Sequence, residues 1–532
     1  MTNARKTVFR EHGYASTLDK LVKQTQEIYL SDEIPWVLGY SGGKDSTAIL
    51  QIIWRAVKEL PPSKRKKPIH VISTDTLVEN PIVALWVGRS LDMMASAAKQ
   101  DKLPITPHRL TPELKDRFWV NLIGKGYPAP RPKFRWCTSR LKISPSNNFI
   151  TNIVKSNGEA ILILGTRSAE SSTRAANMKK YEKGSTRALL SRNRELDRVW
   201  VYTPISDWSD DDVWQHLMQE KNAWGFANEE LLNMYQGATS DGECPLVVDT
   251  STPSCGDSRF GCYVCTMVGE DKSLSAMIRN DDEKEWMLPL LELRSKWLDI
   301  TAPTNAEKNK KIDIERQHRD FRRMNGSLTL HNGRLVHGPY TQEYRAKLLE
   351  AVLEAEDAAR ELGPEEVKEL QLITHEDLEE IRRIWVTEKR EVEDLLPSVY
   401  KNVKGRNFPG HSNLEETYFK SGDLALLKEM CLEETGADGE RHYELIRNLL
   451  HVEFQHKSMI RRSTLFQALD KELTRGSFSN EEDALEFALR KQKSKDNIQT
   501  KNDPESSEEV LLFNDTVGQG LSKNKALNGI EK

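Results

Sequence analysis

The sequence predicts an α/β protein built on a mostly parallel, doubly wound sheet, followed by a cysteine-rich loop and a helical domain. Short apolar runs alternate with helical patterns through the first half of the chain, and a glycine-containing turn follows the first run. Such alternation is typical of a parallel sheet with helices on both faces. Ligands of these sheets bind at the carboxyl ends of the strands, so the candidate site is expected there.

The elements follow from the pattern of apolar residues. Strands are predicted at 34–40, 68–73, 105–110, 160–164 and 199–202. A helix is expected from Ser46 to Pro61, a second over 81–99 with proline in its first turn, and a third over 210–221 with Ser209 as its N-cap. Longer charged helical patterns occupy 341–362 and 374–392.

The chain has 532 residues, enough for two to four domains at roughly 100–200 residues each. The predicted division is a nucleotide-binding domain at 1–237, a cysteine-rich loop at 238–280, a helical domain at 281–490 and a tail at 491–532. The tail is polar and poor in aromatic residues, so it is expected to be disordered.

Composition indicates a globular protein, with 38% apolar and 30% charged residues. No apolar run approaches the roughly 20 residues that span a bilayer, and the N-terminus carries no apolar signal-peptide core. A cytoplasmic location without a membrane partner is therefore expected. Six cysteines are too few for a disulfide scaffold in a chain of this length.

Charge is unevenly distributed along the chain. Residues 131–200 contain 15 Lys and Arg against 5 Asp and Glu, although the whole chain has a net charge of -4. A basic segment in an acidic chain favours a surface that meets a polyanion or several phosphates. The alternative is a solvated helix face.

The turn after the first strand has the composition of a phosphate loop. Its two glycines allow backbone N–H groups to approach a phosphate, and the following helix contributes positive charge from its N-terminus. A lysine adds a full charge and two serines add hydroxyl donors. The predicted nucleotide contacts are Ser41, Gly42, Gly43, Lys44, Asp45 and Ser46.

This hexamer is not a Walker A loop, which requires glycine at Leu38 and Ser or Thr at Asp45. It resembles instead the pyrophosphate loop of the adenine-nucleotide alpha hydrolase-like superfamily. The resemblance implies ATP pyrophosphatase activity with Mg²⁺, in which Lys44 and Asp45 take part in catalysis. Charge on the departing pyrophosphate would be stabilised by the loop and its lysine, and Mg²⁺ would neutralise more of it.

Two further strand ends carry candidate nucleotide contacts. Asp75 follows the second strand, where it could contact adenosine or cap the next helix. The segment from Gly165 to Arg174 resembles an arginine-containing element of the phosphoadenosine phosphosulfate reductase family. Arg167 and Arg174 have a spacing that suits a fork onto phosphate oxygens, with a surface ion-pair array as the alternative.

Cys137 lies among the cations Arg135, Arg140 and Lys142. Nearby positive charge lowers the pKa of a thiol and favours the nucleophilic thiolate. Cys137 is therefore a candidate persulfide carrier, and the alternative is an ordinary half-buried cysteine.

Four cysteines with the spacing C-x10-C-x6-C-x2-C form a candidate metal site, namely Cys244, Cys255, Cys262 and Cys265. They occupy a loop rich in glycine and proline, which allows four thiolates to surround one centre. Such sets hold zinc or an iron–sulfur cluster, and spacing alone does not separate the two.

Together, the phosphate loop, the Cys137 segment, the 167–174 element and the cysteine cluster resemble the DndC-type sulfurtransferase family of bacterial DNA phosphorothioation systems. The motifs cover about residues 34–270. The resemblance implies a [4Fe–4S] cluster on the four clustered cysteines. It also implies DNA as acceptor, a cysteine desulfurase as sulfur donor and other phosphorothioation proteins as partners.

Three other functions remain open from the sequence. A reductase of an adenylylated sulfate is favoured by the arginine element and by Pro204. A tRNA thiolation enzyme shares the phosphate loop and the sulfur chemistry. A non-enzymatic ATP-binding sensor, with the cluster reporting redox state, is the third.

Overall fold

The structure is a computed structural model. It describes residues 7–132, 134–168, 189–239, 260–299, 314–391, 393–410, 421–435, 439–457, 464–475, 478 and 480–501. The predicted site residues Arg174, Cys244 and Cys255 lie outside this part of the chain.

Six strands form the central sheet, in the order β3-β2-β1-β4-β6-β5. Their bounds are β1 Trp36–Gly39, β2 Ile69–Thr74, β3 Ile105–Leu110, β4 Ala160–Ile163, β5 Ser191–Arg192 and β6 Val199–Tyr202. All neighbouring strands pair in parallel except β5, which runs antiparallel to β6 at the edge. The predicted mostly parallel α/β sheet is thereby confirmed.

Helices cover both faces of this sheet. In chain order they are α1 Tyr14–Leu30, α2 Lys44–Lys58, α3 Pro81–Gln100, α4 Ser144–Asn157, α5 Asp210–Gln219 and α6 Asn228–Gly237. One core joins the sheet to α1, α2, α3, α5 and α6, and a smaller core on the other face includes Ile150 of α4. The alternation seen in the sequence therefore gives a doubly wound sheet.

Two helix starts show how local sequence sets the boundaries. Ser209 caps α5 through a reciprocal pair of bonds with Asp212, as the sequence predicts. Helix α2 begins at Lys44, two residues earlier than predicted, with Gly43 at its N-cap. Asp45 therefore lies in the first turn of α2, where a carboxylate interacts favourably with the helix dipole.

The second half of the described chain is mainly helical. Its elements are α7 Lys272–Asn280, α8 Leu288–Leu293, the hairpin β7 Leu330–His331 and β8 Arg334–Leu335, α9 Gln342–Leu362, α10 His375–Arg383, α11 Leu395–Lys404, α12 Ser421–Thr435, α13 Gly439–His456, α14 Leu465–Arg475 and α15 Glu481–Lys501. The C-terminal helical region predicted from the sequence is thereby confirmed.

Three boundaries differ from the sequence-based division. Helix α7 lies inside the stretch predicted as a loop at 238–280, and α15 continues past residue 491 to Lys501. The core of the helical region also includes Phe118, Trp119 and Trp136, which precede the predicted boundary at 237. These aromatic residues are near the helical region only after folding, so local patterns did not reveal the contact. No helix in the described ranges is long and apolar enough to cross a membrane.

Candidate nucleotide and cysteine site

The phosphate loop follows β1 and leads directly into α2. Gly42 has a φ of 74°, and a Cβ there would lie 2.5 Å from Cγ2 of Val87 on α3. A Cβ at Gly43 would lie 3.1 Å from the hydroxyl of Tyr235 on α6. The turn is thus enclosed by two helices, and only glycine fits at position 42 without strain.

Hydroxyl groups hold the loop in shape. The Ser46 hydroxyl donates to the Gly43 carbonyl at 3.0 Å and accepts from the Ser41 backbone N–H at 3.2 Å. The Trp86 indole donates to the Gly42 carbonyl at 3.1 Å. In two of these bonds a carbonyl oxygen of the loop is the acceptor. The positive end of the turn is the N-terminus of α2, where the helix dipole places partial positive charge.

Charged side chains at the loop form one network. The Lys44 ammonium lies 3.2 Å from a carboxylate oxygen of Asp210 and 3.6 Å from one of Asp45. Arg167 donates to Asp45 at 2.6 Å and to Asp210 at 2.7 Å. Burial opposes ionisation of Asp210, but Lys44 and Arg167 outweigh it and lower the pKa of this carboxyl. Two cations and two carboxylates therefore face one another beside the glycine turn.

Arg167 is 1% exposed and also donates to the Trp208 carbonyl at 3.2 Å. Its guanidinium thus positions Asp45 and Asp210 in this structure, whereas a direct contact with phosphate stays a prediction. Gly165 has a related structural role, because a Cβ there would lie 3.2 Å from the backbone carbon of Asp45. The end of β4 therefore packs closely against the start of α2.

Asp75 lies just after β2 but does not cap α3. Asn80 caps that helix by accepting from the Ile82 N–H, so the capping alternative for Asp75 is wrong. Asp75 instead accepts from Leu77 N–H at 2.8 Å and from the Nε of Arg109 at 3.0 Å. A contact between Asp75 and adenosine stays a prediction.

The described cysteines of the cluster lie in one tight turn. The Cys265 N–H donates to the Cys262 carbonyl at 2.9 Å, and Tyr263 N–H donates to the Val78 carbonyl at 3.1 Å. Asn80 N–H donates to the Gly261 carbonyl at 3.2 Å. This cysteine turn, residues 262–265, is therefore fixed to the segment that follows β2.

Cys137 belongs to the same neighbourhood. Burial and the nearby Cys265 raise the pKa of the Cys137 thiol, which corrects the expected lowering by its sequence neighbours. The guanidinium of Arg140 binds Asp116, and Arg135 donates to the Pro132 carbonyl, so both cations are directed elsewhere.

Lys142 is the exception among the predicted cations. The thiolate charge of Cys262 raises the pKa of Lys142, and Cys265 and Cys137 act in the same direction. Its ammonium also lies 3.8 Å from Glu79. Lys142 therefore lies within electrostatic range of three cysteines near the carboxyl edge of the sheet.

Aromatic side chains connect the cysteine turn to the phosphate loop. The Tyr235 hydroxyl lies 3.4 Å from the backbone nitrogen of Lys44, and the Lys44 ammonium is 5.5 Å from the Tyr235 ring centre. The Phe260 ring packs edge-on against Tyr235 at 4.8 Å, two residues before Cys262. The two predicted sites are thus neighbours in space.

The donor set fits an iron–sulfur cluster or zinc as far as it is described. Cys262 and Cys265 are the usual soft thiolate ligands of either centre and lie in a one-turn Cys-x-x-Cys arrangement. No group of three or more His, Cys, Asp or Glu side chains within the described ranges is arranged to hold a metal ion. Cys244 and Cys255, the other two predicted ligands, lie outside those ranges, so the four-cysteine site stays a prediction.

Three residues of the site were not predicted from the sequence. Asp210 was interpreted only as part of a helix start, and Tyr235 and Arg109 carried no motif. An aspartate after a capping serine gives no local signal that it faces a lysine 166 positions earlier. Their roles depend on contacts between distant parts of the chain.

The sheet and the glycine turn after β1 define an α/β domain with a pyrophosphate-loop-like fold. Residues 35–224 match the family model of the phosphoadenosine phosphosulfate reductase domain. Residues 35–224 therefore form a phosphoadenosine phosphosulfate reductase-like domain.

Among curated proteins, an uncharacterized protein of Methanocaldococcus jannaschii is 27% identical over 187 residues, which is 35% of this chain and 32% of that protein. The match thus spans about a third of the relative's length.

One similar solved structure is the U34-tRNA thiolase NcsA of Methanococcus maripaludis with its [4Fe-4S] cluster. It is 13% identical to this chain with a TM-score of 0.26, and the match covers 54% of this chain and 82% of that chain. FMN adenylyltransferase of Candida glabrata, in complex with FAD and inorganic pyrophosphate, is 11% identical with a TM-score of 0.25, covering 47% and 74%. Similarity at this level indicates nothing about the substrate.

Proposed function

We propose that this protein is an ATP-dependent sulfurtransferase that activates a DNA backbone phosphate oxygen and replaces it with sulfur. The observation that carries the proposal is the adjacency of the phosphate loop and the cysteine turn, joined through Tyr235 and Phe260. An ATP-cleaving loop and sulfur-bearing residues must face one acceptor for such a reaction. The reductase-like domain at 35–224 supports the nucleotide half of this proposal.

The first step would be activation by adenylylation. A non-bridging oxygen of the DNA phosphate attacks the α-phosphorus of ATP, and the bond to the β-phosphate breaks with loss of pyrophosphate. Backbone N–H groups at the start of α2 and the Lys44 ammonium stabilise charge on the departing pyrophosphate. Asp45 lies beside Lys44 at 3.6 Å, where it would orient that cation and help to hold Mg²⁺, which neutralises phosphate charge when bound.

The second step would be sulfur transfer. A persulfide sulfur attacks the activated phosphorus, and AMP leaves. Release of the thiophosphate then requires a second thiol to take the remaining sulfur as a disulfide. Cys137 is the proposed persulfide carrier, supplied by a cysteine desulfurase, and the second thiol is a small-molecule thiol such as free cysteine, which attacks the Cys137 sulfur, forms a disulfide with it and releases the thiophosphate. Cys262 and Cys265, with Cys244 and Cys255, are the proposed ligands of a [4Fe–4S] cluster, with zinc as the alternative.

DNA binding would use the basic segment at 131–200. Arg192 and Arg194 are exposed at and just after the edge strand β5. Phosphate contacts make affinity for DNA strongly dependent on salt. Replacing Arg192 and Arg194 with alanine should weaken DNA binding and flatten its salt dependence, and unchanged binding would refute this assignment.

The decisive experiment follows pyrophosphate release from labelled ATP. The anaerobically purified protein is incubated with plasmid DNA, a cysteine desulfurase and cysteine, and the DNA is then digested for mass analysis of phosphorothioate dinucleotides. Pyrophosphate release that depends on DNA, together with thiophosphate in the digest, supports the proposal. Absence of pyrophosphate under every reconstituted condition would reject it.

Iron and acid-labile sulfide analysis tests the metal assignment separately. We expect Cys262→Ser to lose most of the iron and Cys137→Ser to retain it, with Cys431→Ser in the helical region as a matched control. A wild-type protein loaded with zinc would contradict the iron–sulfur assignment. Equal iron loss in Cys137→Ser would make that residue a ligand instead of a carrier.

Reduction of an adenylylated sulfate is the second candidate, because the matched family model is that of the phosphoadenosine phosphosulfate reductase domain. Release of sulfite from phosphoadenosine phosphosulfate with a thiol donor would favour it over sulfur transfer. Mass analysis of nucleosides from tRNA in the same reactions would detect tRNA thiolation.

A further inference from the structure

The hydroxyl of Tyr235 lies at the start of α2, beside the glycine turn of the phosphate loop. It accepts a hydrogen bond from the Lys44 N–H at 3.4 Å, although the two residues are 191 positions apart in the chain. Lys44 is the first residue of α2, and the first N–H groups of a helix have no partner within the helix. Tyr235 therefore places an oxygen atom where the loop would bind a phosphate oxygen.

The bonds that the N–H groups of the turn make to hydroxyls are long. The Gly43 N–H donates to the Ser41 hydroxyl at 3.4 Å, and the bond from Lys44 to Tyr235 has the same length. Ordinary N–H···O bonds are about 2.7–3.2 Å long, and bonds to a charged oxygen are shorter and stronger. Ser41 is exposed and Gly43 is partly exposed, so the turn is open to solvent. A phosphate oxygen that reaches the turn would therefore form better bonds than either hydroxyl.

Gly43 gives an independent indication that the hydroxyl and the turn are fitted to each other. Its φ of -83° is one that any residue adopts, so the backbone does not require glycine at this position. A Cβ there, however, would lie only 3.1 Å from the Tyr235 hydroxyl oxygen. The close approach of this hydroxyl therefore explains the second glycine of the turn.

Neighbouring rings hold the tyrosine in this position. Tyr235 is 7% exposed, and its ring packs edge-on against Trp214 at 5.3 Å and against Phe260 at 4.8 Å. The Lys44 ammonium lies 5.5 Å from the centre of the same ring, so Tyr235 adjoins both the backbone and the charged end of Lys44. A hydroxyl fixed in this way needs little reorganisation to bind a charged group.

We infer that Tyr235 binds the pyrophosphate part of ATP, with its hydroxyl donating a hydrogen bond to an oxygen of the β- or γ-phosphate. A tyrosine hydroxyl can reverse its role, because it both accepts and donates. In the free protein it accepts from the Lys44 N–H, and when a phosphate oxygen takes that N–H, the hydroxyl proton turns to the phosphate. The inference rests on the proposed function, which makes the loop an ATP site, and it adds a residue of α6 to that site.

The test measures binding of pyrophosphate, ATP and AMP, each with Mg²⁺, by titration calorimetry. We expect Tyr235→Phe, which removes one oxygen atom and keeps the ring, to weaken pyrophosphate and ATP binding about 10-fold, as loss of one hydrogen bond to a charged group commonly does. AMP lacks the two outer phosphates, so its affinity should not change. Tyr202→Phe is the matched control, because it removes another buried hydroxyl of this domain, which bonds to Thr25 at 3.0 Å.

The outcomes separate this inference from the proposed function. Equal pyrophosphate affinity in Tyr235→Phe and wild type overturns the inference. An equal loss for pyrophosphate and AMP also overturns it, because the tyrosine would then shape the whole site without contacting the outer phosphates. Failure of the wild-type protein to bind pyrophosphate overturns it as well. A selective loss of pyrophosphate and ATP binding, in a protein that releases no pyrophosphate with DNA, supports the inference and rejects only the proposed acceptor.

Discussion

The phosphate loop and the cysteine turn lie side by side but are built in different ways. The loop is contiguous, and its shape depends on two glycines and on hydroxyl bonds between Ser41, Gly43 and Ser46. The cysteine turn is assembled from distant segments, because Val78 and Arg294 hydrogen-bond to it and Cys137 lies within its electrostatic range. A site made from one short segment can be recognised in a sequence, whereas a site made from four segments is only partly visible there.

The phosphate loop and the cysteine turn also differ in the pKa shifts of their ionisable groups. At the loop, Lys44 and Arg167 overcome the effect of burial and lower the pKa of Asp210. At the cysteine turn, burial raises the pKa of Cys262 to about 11, and the nearby Lys142 only partly opposes this. In the metal-free protein at neutral pH, Asp210 beside the loop is therefore charged and the Cys262 thiol of the turn is uncharged. Binding a metal centre would require loss of thiol protons, which couples metal affinity to pH.

The largest expected effect comes from removing the loop's lysine. Lys44→Ala should lower the rate of pyrophosphate release by about 100- to 1,000-fold, as loss of one charge-stabilising group commonly does. The iron content should not change, because the backbone hydrogen bonds that fix the cysteine turn involve Val78 and Asn80 and not Lys44. Lys99→Ala, at an exposed position near the end of α3, is the matched control. A simultaneous loss of iron would show that the two regions are not independent.

The next effect concerns the thiols. With the metal removed by a chelator, Cys262 should react with iodoacetamide at pH 8 about 100-fold more slowly than the same residue in the unfolded protein, since only the thiolate reacts. The sign follows from the raised pKa, because the thiol keeps its proton until the pH approaches 11. Mass spectrometry of the alkylated peptides at several pH values gives the rate. Equal rates in the folded and unfolded protein would contradict the burial of this residue.

Local sequence was sufficient for the sheet and for the loop. The apolar runs predicted β1 to β4 and β6, and Ser209 was identified as a helix cap, because these features depend on residues close together in the chain. The opposite holds for Cys137, whose sequence neighbours suggested a cationic setting. In the fold, Arg140 binds Asp116, and Cys137 is partly buried against the core of the helical region, where Cys265 influences its pKa. Burial and distant partners therefore decide its chemistry, and neither is visible in a short motif.

The smallest expected effect concerns the ion network that joins the loop to the rest of the sheet. Arg167 is buried, whereas the side chains of Asp45 and Asp210 are 24% and 39% exposed. Removing one member of a buried ion pair commonly costs about 3–5 kcal/mol. Because the carboxylates of Asp45 and Asp210 are partly solvated, the cost here is smaller. Arg167→Ala should therefore lower the free energy of unfolding by about 2 kcal/mol at pH 7. Urea unfolding measures this difference in the free energy of unfolding. Arg167→Lys should lose less stability than Arg167→Ala, because lysine keeps the positive charge but lacks the planar guanidinium that binds two carboxylates.

The dependence of this difference on pH identifies the network as its source. The pKa of Asp210 is lowered in the folded protein, so its carboxylate contributes stability above the ordinary pKa of 3.8, and that contribution is lost as the pH falls through the folded value. The difference between wild type and Arg167→Ala should therefore be constant from pH 7 to pH 5 and should shrink below the ordinary pKa. A difference that stays unchanged at acid pH would mean that packing around Trp208, and not the carboxylates, explains why Arg167 is buried at the phosphate loop.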